Sequence, residues 1–303
     1  MKMKKFIAML AVTGMVASLA VGCGGSDDTS AQGTDAASDE GGSGDWDAAN
    51  AITVVSREEG SGTRGAFTEL FGVVDDDDND LTTLDAQVTN NTSVMMTTVS
   101  ENEYAIGYIS LGSLDESLVK AVKIDGAEAT AENIENGSYT VSRPFNVAVS
   151  QSLDNPVAAD FMAFIMSTEG QAVVSEEGYI PVSEVEAYAG EAPEGSCVVG
   201  GSSSVSPLME KLIEAYAGVN PNASIELQTT DSTTGMTSAI EGSYDIGMAS
   251  RELTDEEASQ LQGTVIATDG IAVIVNQANP TDDLSADQVK SIYVGDVATW
   301  DAI

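Results

Sequence analysis

Residues 54–70 read VVSREEGSGTRGAFTEL and bring together the groups that hold an oxyanion. Arg57 and Arg64 supply guanidiniums, Glu58 and Glu59 carboxylates, and Ser61 and Thr63 hydroxyls, all around a turn built on Gly60 and Gly62. A fixed guanidinium grips a tetrahedral oxyanion through two parallel bonds. A carboxylate in the same shell repels an anion unless the anion has a proton to donate. The set therefore suits a partly protonated oxyanion such as hydrogen phosphate. What must position these groups is a strand (52–55) running into the turn and a helix leaving it to about residue 71, with Ala66, Phe67 and Leu70 on one face. A helix start leaves backbone N–H groups unpaired and adds positive potential, so the turn is an anion site in waiting.

Taken alone, GSGT is also an ordinary strand–helix connection, because Gly, Ser and Thr dominate turns. A nucleotide loop is not indicated: neither GxxxxGK[ST] nor GxGxxG is present here. Recurrence raises the functional reading. A strand at 196–199 leads into GGSSSVSP (200–207) and a helix at 208–217, with Pro207 near its first position, where proline is tolerated. A strand at 223–228 leads to DSTTG (231–235) and a helix at 236–241. YDIGMASREL (244–253) is a further strand ending in Ser250 and Arg251. In open α/β sheets such strand ends converge on one crevice.

The totals narrow the function classes. The 303 residues suffice for two domains. Eleven basic residues face 49 acidic ones, and Lys2, Lys4 and Lys5 sit in the leader, so the mature part keeps eight. A nucleic-acid binder needs a basic face, which excludes that partner. Such an acidic surface favours solvation and repulsion between copies, and a monomer is expected. Arg57, Arg64, Arg143 and Arg251 are the only arginines, and three lie in or beside the candidate turns. Histidine is absent, which removes Ser-His-Asp and Cys-His catalysis. No cofactor or metal site is expected. DDDDND (75–80) lacks the glycine and distal glutamate of a calcium loop and reads as a solvated loop.

Three lysines, an apolar run over 6–21 and the ending AVGC form a secretory leader (1–22) with a lipobox, so Cys23 is the expected lipidation site. Residues 23–46 are rich in Gly, Ser, Asp and Ala and read as a tether. Further strands are expected at 104–110, 120–124, 139–142, 146–150 and 271–276, and helices at 93–101, 156–167 and 286–293. Residues 183–196 read as a linker, and Met95 and Met96 as core filler.

GSSSVSP, DIGMASREL, IAVIVN, IYVGDVATW, SREEGSGTRGAF and GYIPV together resemble the phosphate-binding proteins of ABC transporters, the PstS family. The blocks span essentially the whole mature chain, but in rotated order: SREEGSGTRGAF comes first, GYIPV mid-chain and GSSSVSP opens the second half. Trp46-Asp47-Ala48 also echoes Trp300-Asp301-Ala302. We read one circularly permuted copy, with 183–196 bridging the former termini; the rival is two joined gene fragments. The resemblance implies an α/β fold of the type II periplasmic-binding-protein kind, two lobes joined by two crossing strands with the ligand between them. One lobe would be 142–270 and the other 48–141 plus 271–303.

By the same resemblance, Arg57 is the clamp and Glu59 the acceptor of the ligand's proton. Ser61, Gly62 and Thr63 are donors at a helix start. Ser204, Val205 and Ser206 serve the second turn, Ser232 the third and Ser250 the fourth, where some relatives carry aspartate. Arg251 is either a second cation in the cleft or a rim partner of Glu252, and Arg64 a rim charge. The expected function is a lipid-anchored receptor on the extracytoplasmic face that delivers inorganic phosphate to ABC permease subunits, not an enzyme. Capture of sulfate or molybdate and a sensor role without transport are the alternatives.

Overall fold

The computed structural model describes residues 46–303; the leader, Cys23 and all but the last residue of the tether lie outside them. The path starts with β1 (Thr53–Arg57), the glycine turn and α1 (Gly62–Leu70). A second strand–helix pair follows, β2 (Gln87–Thr89) and α2 (Thr92–Ser100), then β3 (Ala105–Ser110), β4 (Val119–Ala121), β5 (Lys123–Ile124) and α3 (Ala131–Glu135). The middle of the chain is β6 (Ser142–Ser150), α4 (Pro156–Ile165), α5 (Thr168–Glu176) and β7 (Ile180–Pro181). Three units complete the pattern: β8 (Gly195–Ser202) with α6 (Ser206–Val219), β9 (Ala223–Thr230) with α7 (Ser232–Glu241), and β10 (Ile246–Ala249) with α8 (Asp255–Gln260). The chain finishes with β11 (Leu261–Asn276), β12 (Asp283–Leu284) and α9 (Ala286–Tyr293).

The main sheet runs β2-β1-β3-β11-β6-β10-β8-β9. Its apolar residues form two large clusters. One joins Val54, Phe67, Tyr108, Ile271–Val275, Val289 and Tyr293. The other joins Phe145, Phe161, Val199, Leu208, Met248 and Ile266. The chain passes between them twice, near Val141–Ser142 and near Gly270–Ile271, and β11 is the strand that belongs to both.

That strand corrects one expectation. A strand was expected only over 271–276, but β11 starts ten residues earlier and pairs with β6 as far as Gly270↔Ser142 and with β3 from Ile271↔Ser110. Within it Asp269 sits opposite Arg143 in the ladder, and Arg143 Nη2 reaches its Oδ2 at 3.1 Å. The strand expected at 139–142 does not form, residues 139–141 being irregular, and the one expected at 146–150 starts earlier, as β6, which begins at Ser142 and runs through Pro144. β10 pairs with β6 only from Asn146 onward, so Pro144 stands beyond that ladder. The strand at 244–253 shrinks to β10 because Ser250 leaves the sheet to bond Ser232.

Residues 183–194 carry no long element but are tied down. Asp160 on α4 accepts hydrogen bonds from Tyr188 Oη and Tyr216 Oη, each at 2.6 Å, and Tyr188 packs edge-on to Phe164. At the other end, Ala48 O accepts the Asp301 N–H at 2.8 Å and Ala298 O accepts the Ile52 N–H at 2.8 Å. Trp46 lies 6.0 Å from Trp300, centroid to centroid. The last segment thus runs beside the entry to β1.

Candidate oxyanion site

β1 delivers Arg57 to the end of a parallel pair in which it sits opposite Thr89. The strand is buried on both faces, and Arg57 is 1% exposed. Its backbone N–H donates to Tyr108 Oη at 3.1 Å, and that ring stacks on Phe67 at 3.9 Å, so Arg57 rests on the aromatic core. Burial pushes the Tyr108 phenol up to about 12, which keeps it a neutral partner. Glu58 takes the guanidinium through Nε at 2.8 Å and Nη2 at 2.7 Å. Nη2 also donates to Ser203 Oγ at 3.0 Å, and Nη1 is buried with no partner in the protein. A buried cationic donor left over in this way demands an acceptor.

Gly60 makes the turn at φ +84, a conformation that favours glycine. Ser61 caps α1 by accepting the Arg64 N–H at 3.4 Å. The first N–H groups of the helix, those of Gly62 and Thr63, have no intrahelical acceptor and point along its positive end. Thr63 Oγ1 meets Ser204 Oγ at 2.8 Å and Ser250 Oγ at 3.4 Å. Ser250 Oγ also accepts from Ser202 Oγ at 2.9 Å and lies 3.5 Å from Ser232 Oγ, which accepts the Ser250 N–H at 3.1 Å. Ser204, Ser232 and Ser250 are buried to within 1%. A Cβ on Gly62 would come within 2.4 Å of Ser232 Oγ and 2.9 Å of Ser250 Oγ, so the α1 turn touches the β10 and α7 turns with no side chain between them.

The sequence-predicted residues thus divide. Arg57, Ser61, Gly62, Thr63, Ser204, Ser232 and Ser250 meet in one place. Val205 is fully buried at the α6 start, and the Ser206 hydroxyl turns back to Ser202 O at 3.2 Å and Thr229 Oγ1 at 2.9 Å. Glu59 is exposed and shares a neighbouring cavity with Ser61 and Arg64, while Glu58 is the residue that holds Arg57. Arg251 pairs twice with Glu257, at 2.7 and 2.8 Å, and donates to Glu252 O at 2.9 Å. Burial would push Glu257 up, but Arg251 and the Thr254 N–H outweigh it and hold its carboxyl below the usual range. Arg64 donates to Asp80 at 2.6 Å and to Arg57 O at 2.9 Å, bracing the end of β1.

Two residues of the cluster escape a sequence reading. Ser203 accepts from Arg57, and Thr92, the first residue of α2, lies 3.4 Å from Ser203 Oγ and 3.3 Å from Ser204 Oγ. The signal for Ser203 was the serine run itself; Thr92 sits in NNTS, which carries no glycine and looks like any polar loop. Among the described residues no group of three or more His, Cys, Asp or Glu is placed to hold a metal ion, and no helix is long and apolar enough to cross a membrane. The arrangement offers hydroxyl and guanidinium donors, helix starts and no paired nucleophile and base. That is equipment for holding an oxyanion.

A family profile described as a PBP superfamily domain matches residues 38–169 and 186–302. The chain is 48% identical over 306 residues to phosphate-binding protein PstS 2 of Streptococcus agalactiae serotype V, covering 99% of this chain and 98% of that one. It is 41% identical over the full length of both chains to phosphate-binding protein PstS 2 of Streptococcus pneumoniae serotype 4. A crystal structure of a phosphate ABC transporter phosphate-binding protein from Streptococcus pneumoniae TIGR4 matches with a TM-score of 0.66 at 43% identity, over 84% of this chain and 100% of that chain.

Proposed function

Because the chain belongs to the PstS family of phosphate-binding proteins within the PBP superfamily, we propose that it captures inorganic phosphate outside the cytoplasmic membrane for an ABC permease. The observation that carries this reading is the meeting of Arg57 with Ser203 and of Thr63 with Ser204 and Ser250, the last beside Ser232, residues drawn from both ends of the sheet. Phosphate exchanges its hydration shell for hydroxyl, backbone N–H and guanidinium donors, and charge-assisted bonds of this kind are about twice as strong as neutral ones. The two cores, joined along the chain at the crossings near 141–142 and 270–271, form two lobes that close over the ion. Thr233 N donates to Gly60 O at 3.1 Å and is one of the contacts such closure makes. The process is binding, with no bond made or broken.

The lobe assignment, 48–141 plus 271–303 against 142–270, follows the two clusters. The rotated order is a permutation of one receptor: residues 298–301 run beside 48–52, where a continuous chain would join them, and 183–194 are anchored through Asp160. Cys23 carries the lipid, and residues 23–46 tether the body to the membrane. Glu59, on the rim beside Ser61, is the carboxylate available to a proton on the ligand, with Glu58 committed to Arg57.

Titration calorimetry of the purified protein with phosphate, sulfate and molybdate tests the assignment. Tight binding of phosphate and weak binding of the other two is expected. Tight sulfate binding with none for phosphate contradicts it.

A further inference from the structure

Four helix starts face the hydroxyl cluster, and the functional reading above uses those of α1, α6 and α7. The fourth belongs to α2. β2 lies parallel to β1 and in register with it, so both strands end on the same side of the sheet and both feed a helix there. Asn91 caps α2 by accepting the Val94 N–H at 2.8 Å, which leaves the Thr92 side chain free to point elsewhere. It points at Ser203 and Ser204 and is 4% exposed.

The protons in this corner have a direction. Arg57 is only a donor, so Ser203 Oγ must accept from it. The Ser203 proton is then aimed away from Arg57, at Thr92 Oγ1 or at a ligand oxygen. Where Thr92 accepts that proton, its own proton is aimed at Ser204 or at the ligand. A chain that begins on a guanidinium therefore presents O–H donors at its far end, which suits an oxygen that carries no proton. The buried, unpartnered Nη1 of the same guanidinium shows that this corner lacks an acceptor.

We propose that Thr92, at the start of α2, is a binding residue for the oxyanion, polarised by Arg57 through Ser203. This rests on the phosphate reading above and adds a fourth arm to it. A cavity of ≈ 560 Å³ lined by Asn91, Thr92, Met96, Ser203 and Pro207 adjoins this corner and gives the anion a way in from the α2 side.

Calorimetric titration with inorganic phosphate on Thr92→Val, Thr92→Ser and Thr92→Asp tests it, with the melting temperature of each ligand-free variant as the control for folding. Valine keeps the shape and removes the hydroxyl, and a loss of about 10- to 100-fold in affinity is expected for a bond to a charged group. Serine restores the donor and stays within about threefold of wild type. Aspartate at a helix start favours the helix but repels an anion, so the variant folds and loses phosphate binding. In the double variant Ser203→Ala/Thr92→Val the losses are less than additive, because one chain is cut twice. Wild-type affinity in Thr92→Val, or unchanged binding in Thr92→Asp, overturns the fourth arm while leaving the phosphate assignment intact. A wild type that binds no phosphate overturns both.

Discussion

Thr63 and Ser204 are 141 positions apart in sequence, and their hydroxyl oxygens stand 2.8 Å apart in the fold. One belongs to the α1 turn beside the core built on Phe67 and Tyr108, the other to the α6 turn beside the core built on Phe145 and Leu208. Neither core alone supplies the whole hydroxyl cluster. The contact makes the site a property of how the two cores meet, and the predictions below follow from that.

Arg57 and Arg64 are seven residues apart, and both are bonded to carboxylates, but only Arg57 is buried against the hydroxyl cluster. Truncating a buried, hydrogen-bonded charge costs about 2–5 kcal/mol in binding, whereas an exposed pair is worth about 0–1 kcal/mol. Arg57→Ala is expected to lose phosphate binding by at least about 30-fold and Arg64→Ala by a few fold at most. Equal losses on titration would show that the clamp is misassigned.

Gly62 is the point where the α1 turn presses on Ser232 and Ser250. Its backbone is not strained for other residues, since no positive φ is found there. Gly62→Ala should therefore fold with the ligand-free melting temperature of wild type. Its methyl group holds the two sides apart and lowers phosphate affinity about 10- to 100-fold, the equivalent of about 1–3 kcal/mol of overpacking in the closed form. A variant that binds like wild type would mean that these turns do not approach when the ion is held.

Asp269 is buried at the crossing beside Arg143, with Tyr139, Tyr179 and Ser110 around it, and its Oδ1 accepts the Gly112 N–H at 3.3 Å. Loss of solvent raises its carboxyl to about 6, more than Arg143 lowers it, and the same burial lowers Arg143 to about 10. Both shifts say that desolvation outweighs the attraction within the pair. A raised folded-state value means that the folded protein holds the proton more tightly. The stability from this group is thus fully present below about pH 4 and is lost as pH rises through about 6. The melting temperature of wild type relative to Asp269→Asn should fall over that window and level off above it. A difference that rises with pH over the same window would contradict the assignment.

Cys197 is 1% exposed on β8, and burial, aided by the nearby Asp245 charge, pushes its thiol up to about 12. Little thiolate exists at neutral pH, and reagents cannot reach it. It should resist alkylation in the folded protein, react on unfolding in denaturant, and tolerate Cys197→Ala with phosphate binding unchanged. Rapid labelling of the native protein would show that β8 opens.

Much of this arrangement is legible in the sequence because helix starts announce themselves. SREEGSGT, GGSSSVSP and DSTTG each combine a strand end, small residues and hydroxyls, and each marks a turn that the structure brings to the cluster. What stayed hidden depends on pairing across distance. Asp269 is a buried charge inside a strand only because Arg143 is placed opposite it, so the full length of β11 depends on a pairing that the local sequence does not show. α8 is announced only by TDEE, whose Thr254–Glu257 capping box the structure shows, and the fixed position of Arg251 depends on it. Glu58 and Glu59 are chemically alike in sequence; only the way the chain leaves β1 after Arg57 and enters the turn decides that Glu58 reaches back to Arg57 while Glu59 faces solvent. Thr92 gives no signal until β2 is seen to lie alongside β1.

The most direct test is a crystal structure of the protein with bound phosphate. One ion enclosed by Thr63, Ser204, Ser232 and Ser250, with an oxygen on Arg57 Nη1, is expected. An ion held by residues of one core alone, with Arg57 Nη1 still unpartnered, would contradict it.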